Sequence, residues 1–113
     1  MGLVNLNPPN VAVNVAEDIR SADTVTVVNA TATSSIALAA NANRGSYSIY
    51  NTNSSTTVYI RENATVTAAL YRHPIPSGYL FESDFSSSRY TGIISVITAG
   101  GSANLMVSES TIS

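Results

Sequence analysis

The chain has no cysteine among its 113 residues, which excludes both a disulfide framework and a zinc site built on thiolates. Lysine is also absent, so every cation is an arginine: Arg20, Arg44, Arg61, Arg72 and Arg89. Charged residues make up 11% of the chain, against about 25% in ordinary soluble domains. A net charge of −2 excludes a sequence-independent nucleic-acid binder, which needs a basic face to displace phosphate counterions. It equally excludes a polybasic membrane-surface protein. No apolar run approaches the roughly 18 residues of a spanning helix. The opening MGLVNLNPPN has neither a basic n-region nor an apolar h-region, so a standard secretory signal is not expected. Leu6 stands where the myristoylation pattern requires Ser or Thr. The chain reads as soluble and made in a cytoplasm, with no nucleic acid and no membrane among its partners.

What replaces charge is small neutral polarity: 17 Ser, 12 Thr and 11 Asn. Three Asn-x-Ser/Thr triplets, at Asn29, Asn53 and Asn63, are what that composition gives by chance and say nothing of glycosylation. Short runs rich in Val, Ile, Thr and Tyr alternate in period two between clusters of Asn, Ser, Gly and Pro, the signature of β-strands. Strands are predicted at about 11–15, 24–28, 32–39, 46–51, 57–61, 65–70, 79–82, 90–98 and 103–109. Turn signals fall at Asn41–Gly45, Asn51–Ser55, Pro74–Gly78, Ser86–Ser88 and Ala99–Ser102. The last of these joins two apolar runs and predicts a tight hairpin. Only Val15–Ala22 carries a weak helical pattern. The fold class is therefore all-β, a small antiparallel β-sandwich. Residues 24–113 form that domain, and residues 1–23 an extended N-terminal arm in which Pro8-Pro9 cannot join a central strand.

Alternation assigns faces. Tyr47, Ile49, Val58 and Ile60 are expected in the core, with Tyr59 and Arg61 facing outward. In YTGIISVIT both parities are apolar, so this strand is expected to be covered on both faces, by a second layer or by a partner chain. The arm is either an edge strand of its own domain or a strand added to a neighbour. Its candidate contact residues are Leu3, Val4, Leu6, Pro8, Pro9, Val11 and Val13.

Catalytic chemistry finds little support. His73, the single histidine, cannot build a zinc site without cysteine. Glu82 and Asp84 share a parity and could contribute to a Ca²⁺ site, but equally form a solvated edge that discourages strand addition. There is no G-x-S-x-G elbow, no P-loop and no dinucleotide fingerprint, so no enzyme activity, cofactor or metal is expected. Six tyrosines and two phenylalanines could stack on sugars or fill a protein pocket, or pack across strands within a sheet.

From Ile36 onward the order of features is distinctive. Leu38-Ala39-Ala40-Asn41 and Arg44 lead into SYSIYN, a Ser/Thr-rich turn and TVYIR. Then come Ile75-Pro76-Ser77-Gly78, Tyr90–Ile97, a Gly-rich turn and Asn104–Glu109. Over roughly residues 30–110 this resembles the small β-sandwich domain of tailed-phage virion proteins, particularly capsid decoration (cement) proteins. Glu62–His73 departs from the pattern, because Thr65–Leu70 reads as an extra strand. The resemblance implies a non-enzymatic protein on the outer capsid surface that bridges major capsid protein subunits, as a dimer or trimer. Under it, the arm reaches a neighbour, Ile93, Val96 and Ile97 meet a like subunit, and Arg44 and Arg61 make polar contacts to an acidic capsid surface or pair within the domain. Two other readings stand beside it: a tail, fibre or head–tail component touching a host glycan, and a free carbohydrate-binding module.

Overall fold

The computed structural model describes residues 20–83 and 89–112. Eight strands follow one another: β1 (Arg20–Ala30), β2 (Ser35–Leu38), β3 (Arg44–Asn51), β4 (Val58–Arg61), β5 (His73–Ile75), β6 (Leu80–Ser83), β7 (Ile94–Thr98) and β8 (Ala103–Ile112). They form two four-stranded antiparallel sheets: sheet A in the order β1-β8-β3-β6 and sheet B in the order β2-β7-β4-β5. The fold is all-β, as the sequence predicts. Among the described strands only β4 and β5 are consecutive neighbours within one sheet; every other connection crosses from sheet to sheet. Eight strands wound this way make a jelly roll, which hides most strand edges by folding two sheets face to face.

Period-two alternation builds the core. Along β3 the inward positions Tyr47, Ile49 and Asn51 are buried, and along β8 Ala103, Leu105 and Val107 are. From sheet B come Val58, Ile60, Ile75, Ile94 and Val96. These aliphatic side chains interdigitate between the layers, and their burial is the main stabilising term.

Four expectations need correction. The strand predicted at 24–28 begins at Arg20, so residues 20–23 belong to sheet A rather than to an arm. Thr65–Leu70 is not a strand; it makes one isolated bridge, Thr67 to Leu70. The turn predicted at Pro74–Gly78 overlaps β5, a three-residue edge strand where Pro74, lacking an N–H, is tolerated. The Gly100-Gly101 turn does not close a hairpin, because β7 lies in sheet B and β8 in sheet A. Gly101 has a φ of 77°, and its carbonyl accepts a hydrogen bond from Thr98 Oγ1 at 2.9 Å. Local turn chemistry was read correctly there, but it does not say to which sheet the chain returns. The strand predicted at 11–15 and most of the Val15–Ala22 pattern lie outside the described residues.

Candidate functional site

Antiparallel register turns the outward side chains of sheet A into rows running across the strands. Asp23, Ser110 and Ser46 form one row; Val25, Ser108, Ser48 and Glu82 form the next. The third is wholly apolar: Val27, Met106, Tyr50 and Leu80, one residue from each strand of the sheet. These four are between 41% and 65% exposed, and Val25 beside them is 53% exposed. Four strands at about 4.8 Å spacing make this row roughly 14 Å long. Exposed apolar residues scattered singly are ordinary; here one stands on each strand of the sheet in a single row.

Beside the row lies a shallow polar cavity of about 330 Å³, lined chiefly by Ser46, Ser48, Ser108, Ser110, Asp23 and Glu82. Its hydroxyls pair across strands: Ser46 Oγ lies 2.8 Å from Ser110 Oγ, and Ser48 Oγ hydrogen-bonds Ser108 Oγ. Cross-strand pairing of this kind stabilises the sheet and uses half of what the serines could offer a ligand. Asp23 and Glu82 at its rim are both acidic.

The outer side of sheet B is built differently. Ser95 and Ile97 of β7 point away from the core and are nonetheless buried. The connection between β4 and β5 lies over them: Val66 is buried and its N–H donates to Ser34 Oγ, while Tyr71 stacks on Tyr59 with centroids 4.6 Å apart. The surface this leaves carries exposed Ile36, Leu70 and Tyr71, with Arg61 and Arg72. Arg72 makes a loose contact with Glu62 at 3.7 Å and stays more than half exposed.

Inside the sandwich, polar groups lock the layers together. Arg44 is fully buried at the start of β3. Its Nε donates to Glu109 Oε2 at 2.8 Å, Nη1 to the carbonyls of Tyr90 (3.1 Å) and Gly92 (2.9 Å), and Nη2 to that of Ala39 (2.7 Å). At the other end of β3, the buried Asn51 amide donates to the carbonyls of Thr56 and Ile75, and its Oδ1 accepts from Asn53 N. Tyr47 donates its hydroxyl to Glu62 Oε2 at 2.9 Å. Burial and the neighbouring carboxylate both hold that phenol well above its ordinary pKa of 10.0.

The expected site residues do not come together. Leu3, Val4, Leu6, Pro8, Pro9, Val11 and Val13 lie outside the described residues. Val96 and Ile97 are buried within a single chain and Ile93 is half-buried, so the face expected to meet a like subunit is already covered. Both faces of β7 are buried within one chain, the cover that the sequence required from a second layer or a partner chain. Arg44 cannot touch a capsid surface, because its whole guanidinium is spent internally; its partner is Glu109, not Glu62 or Asp84. Arg61 is partly exposed and joins neither ion pair found among the described residues. His73 sits on edge strand β5 against the Phe81 ring. Among the described residues no three His, Asp or Glu side chains converge on a metal-sized site. The apolar row escaped the sequence reading. Its signal was present: Met106 and Tyr50 occupy the outward parity of strands whose inward parity is already apolar.

No family model matches the chain, and no match is found among curated proteins. Among solved structures it is similar to a chain from work described as "Bacillus endospore appendages form a novel family of disulfide-linked pili". The identity is 14%, over 97% of this chain and 100% of that one, with a TM-score of 0.49. A likeness at that distance carries nothing about function.

Proposed function

We propose that this chain is a capsid decoration (cement) protein, which binds the outer surface of a tailed-phage head and stabilises contacts between major capsid protein subunits. The reading rests first on the resemblance in residues 30–110. The structural observation that best supports it is the exposed apolar row of sheet A, a surface suited to protein contact rather than chemistry. A jelly roll is an architecture that viral capsid proteins use, though this is support by analogy of fold, since lectins and cupins share it. The contact surface is small: four strands by about five residues give roughly 330 Å² in plan, below the roughly 800 Å² per partner of a standard interface. Such a contact becomes effective when repeated at fixed lattice points, where avidity multiplies weak sites. On this reading the chain is made in the host cytoplasm and resides on the outer capsid. Its partners are the major capsid protein and further copies of itself, as a dimer or trimer, with residues 1–19 reaching a neighbour.

A second reading, a tail, fibre or head–tail component that touches a host glycan, is favoured by one feature: exposed Tyr50 lies beside a hydroxyl-lined cavity flanked by two carboxylates, and a ring stacked on a sugar needs such acceptors nearby. Counting copies in purified virions separates the two. Hundreds of copies, retained on tailless expanded heads, are expected for a cement protein; a number matching a tail ring refutes it.

A further inference from the structure

The two outer surfaces of the sandwich are complementary in charge and alike in apolar content. On sheet A the apolar row Val27, Met106, Tyr50 and Leu80 is flanked by Asp23 and Glu82. On the opposite side, exposed Ile36, Leu70 and Tyr71 are flanked by Arg61 and Arg72. A two-fold pairing of two sheet A faces would bring the Asp23 and Glu82 carboxylates of both copies into one interface. Pairing two sheet B sides would gather four arginines against two Glu62 carboxylates that are already engaged. The mixed pairing sets the Asp23 and Glu82 carboxylates against the Arg61 and Arg72 guanidiniums while burying apolar side chains from both partners.

We infer that copies of this chain stack head to tail, the outer face of sheet A of one against the β4–β5 side of sheet B of the next. The occupant of the apolar row is thus a second copy, so that the row serves contact between copies, and any contact with a capsid falls to other parts of the chain. The two surfaces point in opposite directions across the sandwich, so the contact is heterologous and each copy keeps one face free. Such a contact continues into an open row, or closes into a ring if each step carries enough rotation. This inference does not rest on the capsid reading. It concerns the isolated protein, and it holds or falls without a virion.

The test is sedimentation of the full chain across the micromolar to submillimolar range, since a contact of this size is weak. The wild-type protein is expected to associate with a mass that rises with concentration and falls with added salt, because exposed ion pairs are screened. One variant carries Asp23→Arg with Glu82→Arg, the other Arg61→Glu with Arg72→Glu. Each alone is expected to weaken association at least about tenfold, because like charges then meet. Mixed one to one they restore it through contacts between unlike variants, which again pair opposite charges. Circular dichroism and cooperative thermal unfolding of each variant establish that recovery on mixing comes from folded chains. A Leu70→Asp variant should likewise abolish association. A wild-type chain that stays monomeric throughout the range overturns the inference, including the case where sheet A turns out to bind a different protein. Variants that associate as the wild type does, or a mixture that stays monomeric, overturn it as well.

Discussion

Replacing Arg44 offers the sharpest check on how the two sheets are held together. The guanidinium is fully buried and makes four hydrogen bonds, reaching Glu109 on β8, the Ala39 carbonyl beyond β2, and the Tyr90 and Gly92 carbonyls ahead of β7. One side chain on sheet A thereby fixes two segments that lead into or out of sheet B. Arg44→Ala would strand the Glu109 carboxylate, which is only 16% exposed, together with three carbonyls. Breaking a buried pair by removing one partner costs about 3–5 kcal/mol, a large share of the roughly 5–15 kcal/mol that holds an ordinary domain folded. With a urea m-value of about 2 kcal/mol per molar, the midpoint should fall by about 2 M. Arg44→Lys keeps the charge but not the planar fork, and should lie between the two. Glu109→Gln removes the charged acceptor while leaving the carbonyls served, and should cost about 1–2 kcal/mol. Equilibrium urea unfolding of the four proteins measures all of this. If Glu109→Gln proves as damaging as Arg44→Ala, the ion pair alone accounts for the effect, and the carbonyl contacts do not tie the sheets.

Three further outcomes are expected. The Tyr47 phenol has its pKa raised on folding, so the folded state favours its neutral form; the associated stability is complete below the unfolded value of 10.0 and is lost as pH rises beyond it toward the folded pKa. Unfolding free energy should therefore drop between pH 9 and 11 more steeply in the wild type than in Tyr47→Phe, and identical slopes would refute the assignment. Gly101 sits at a φ of 77° in open space, so Gly101→Ala should cost about 1 kcal/mol from backbone strain alone, whereas Gly100→Ala, also in open space but without positive φ, should cost clearly less; equal melting temperatures for the two variants would contradict this. Deleting residues 1–19 should leave a folded sandwich that binds heads less well, while deleting 1–23 should also lower the melting temperature, because Arg20, Ala22 and Asp23 pair with β8. Unchanged head occupancy after the shorter deletion would remove the arm from the binding mechanism.

Where a strand has one wet and one dry face, sequence alone was enough. Tyr47, Ile49, Val58 and Ile60 were placed in the core by alternation and are buried there. Period two carries that information directly. It fails where a segment is short or where the answer depends on partners distant in the chain. Strand β5 has three residues, one of them Pro74, and leaves no periodic trace. Thr65–Leu70 has the composition of a strand but bridges only within itself, and of its large apolar residues Val66 is buried while Leu70 is exposed, so composition there answers to packing and surface rather than to pairing. Arg44 read as a surface cation because arginine is seldom fully buried; only the convergence of three carbonyls and Glu109 makes burial tolerable, and those groups lie 5 to 65 residues away. The apolar row is likewise a product of register, since it draws on four strands that are not neighbours in sequence.

That last property has a consequence for timing. Val27, Tyr50, Leu80 and Met106 span most of the chain, and β8 is the strand that joins β1 to β3. Until residues 103–112 have left the ribosome, β1 has no partner in its sheet and the row does not exist. A partly made chain can gather its sheet B strands, but it cannot display the surface through which copies would recognise one another. Pairings this distant are slow to close. Under the head-to-tail pairing proposed above, a chain therefore presents that surface only once β8 has been made and has paired.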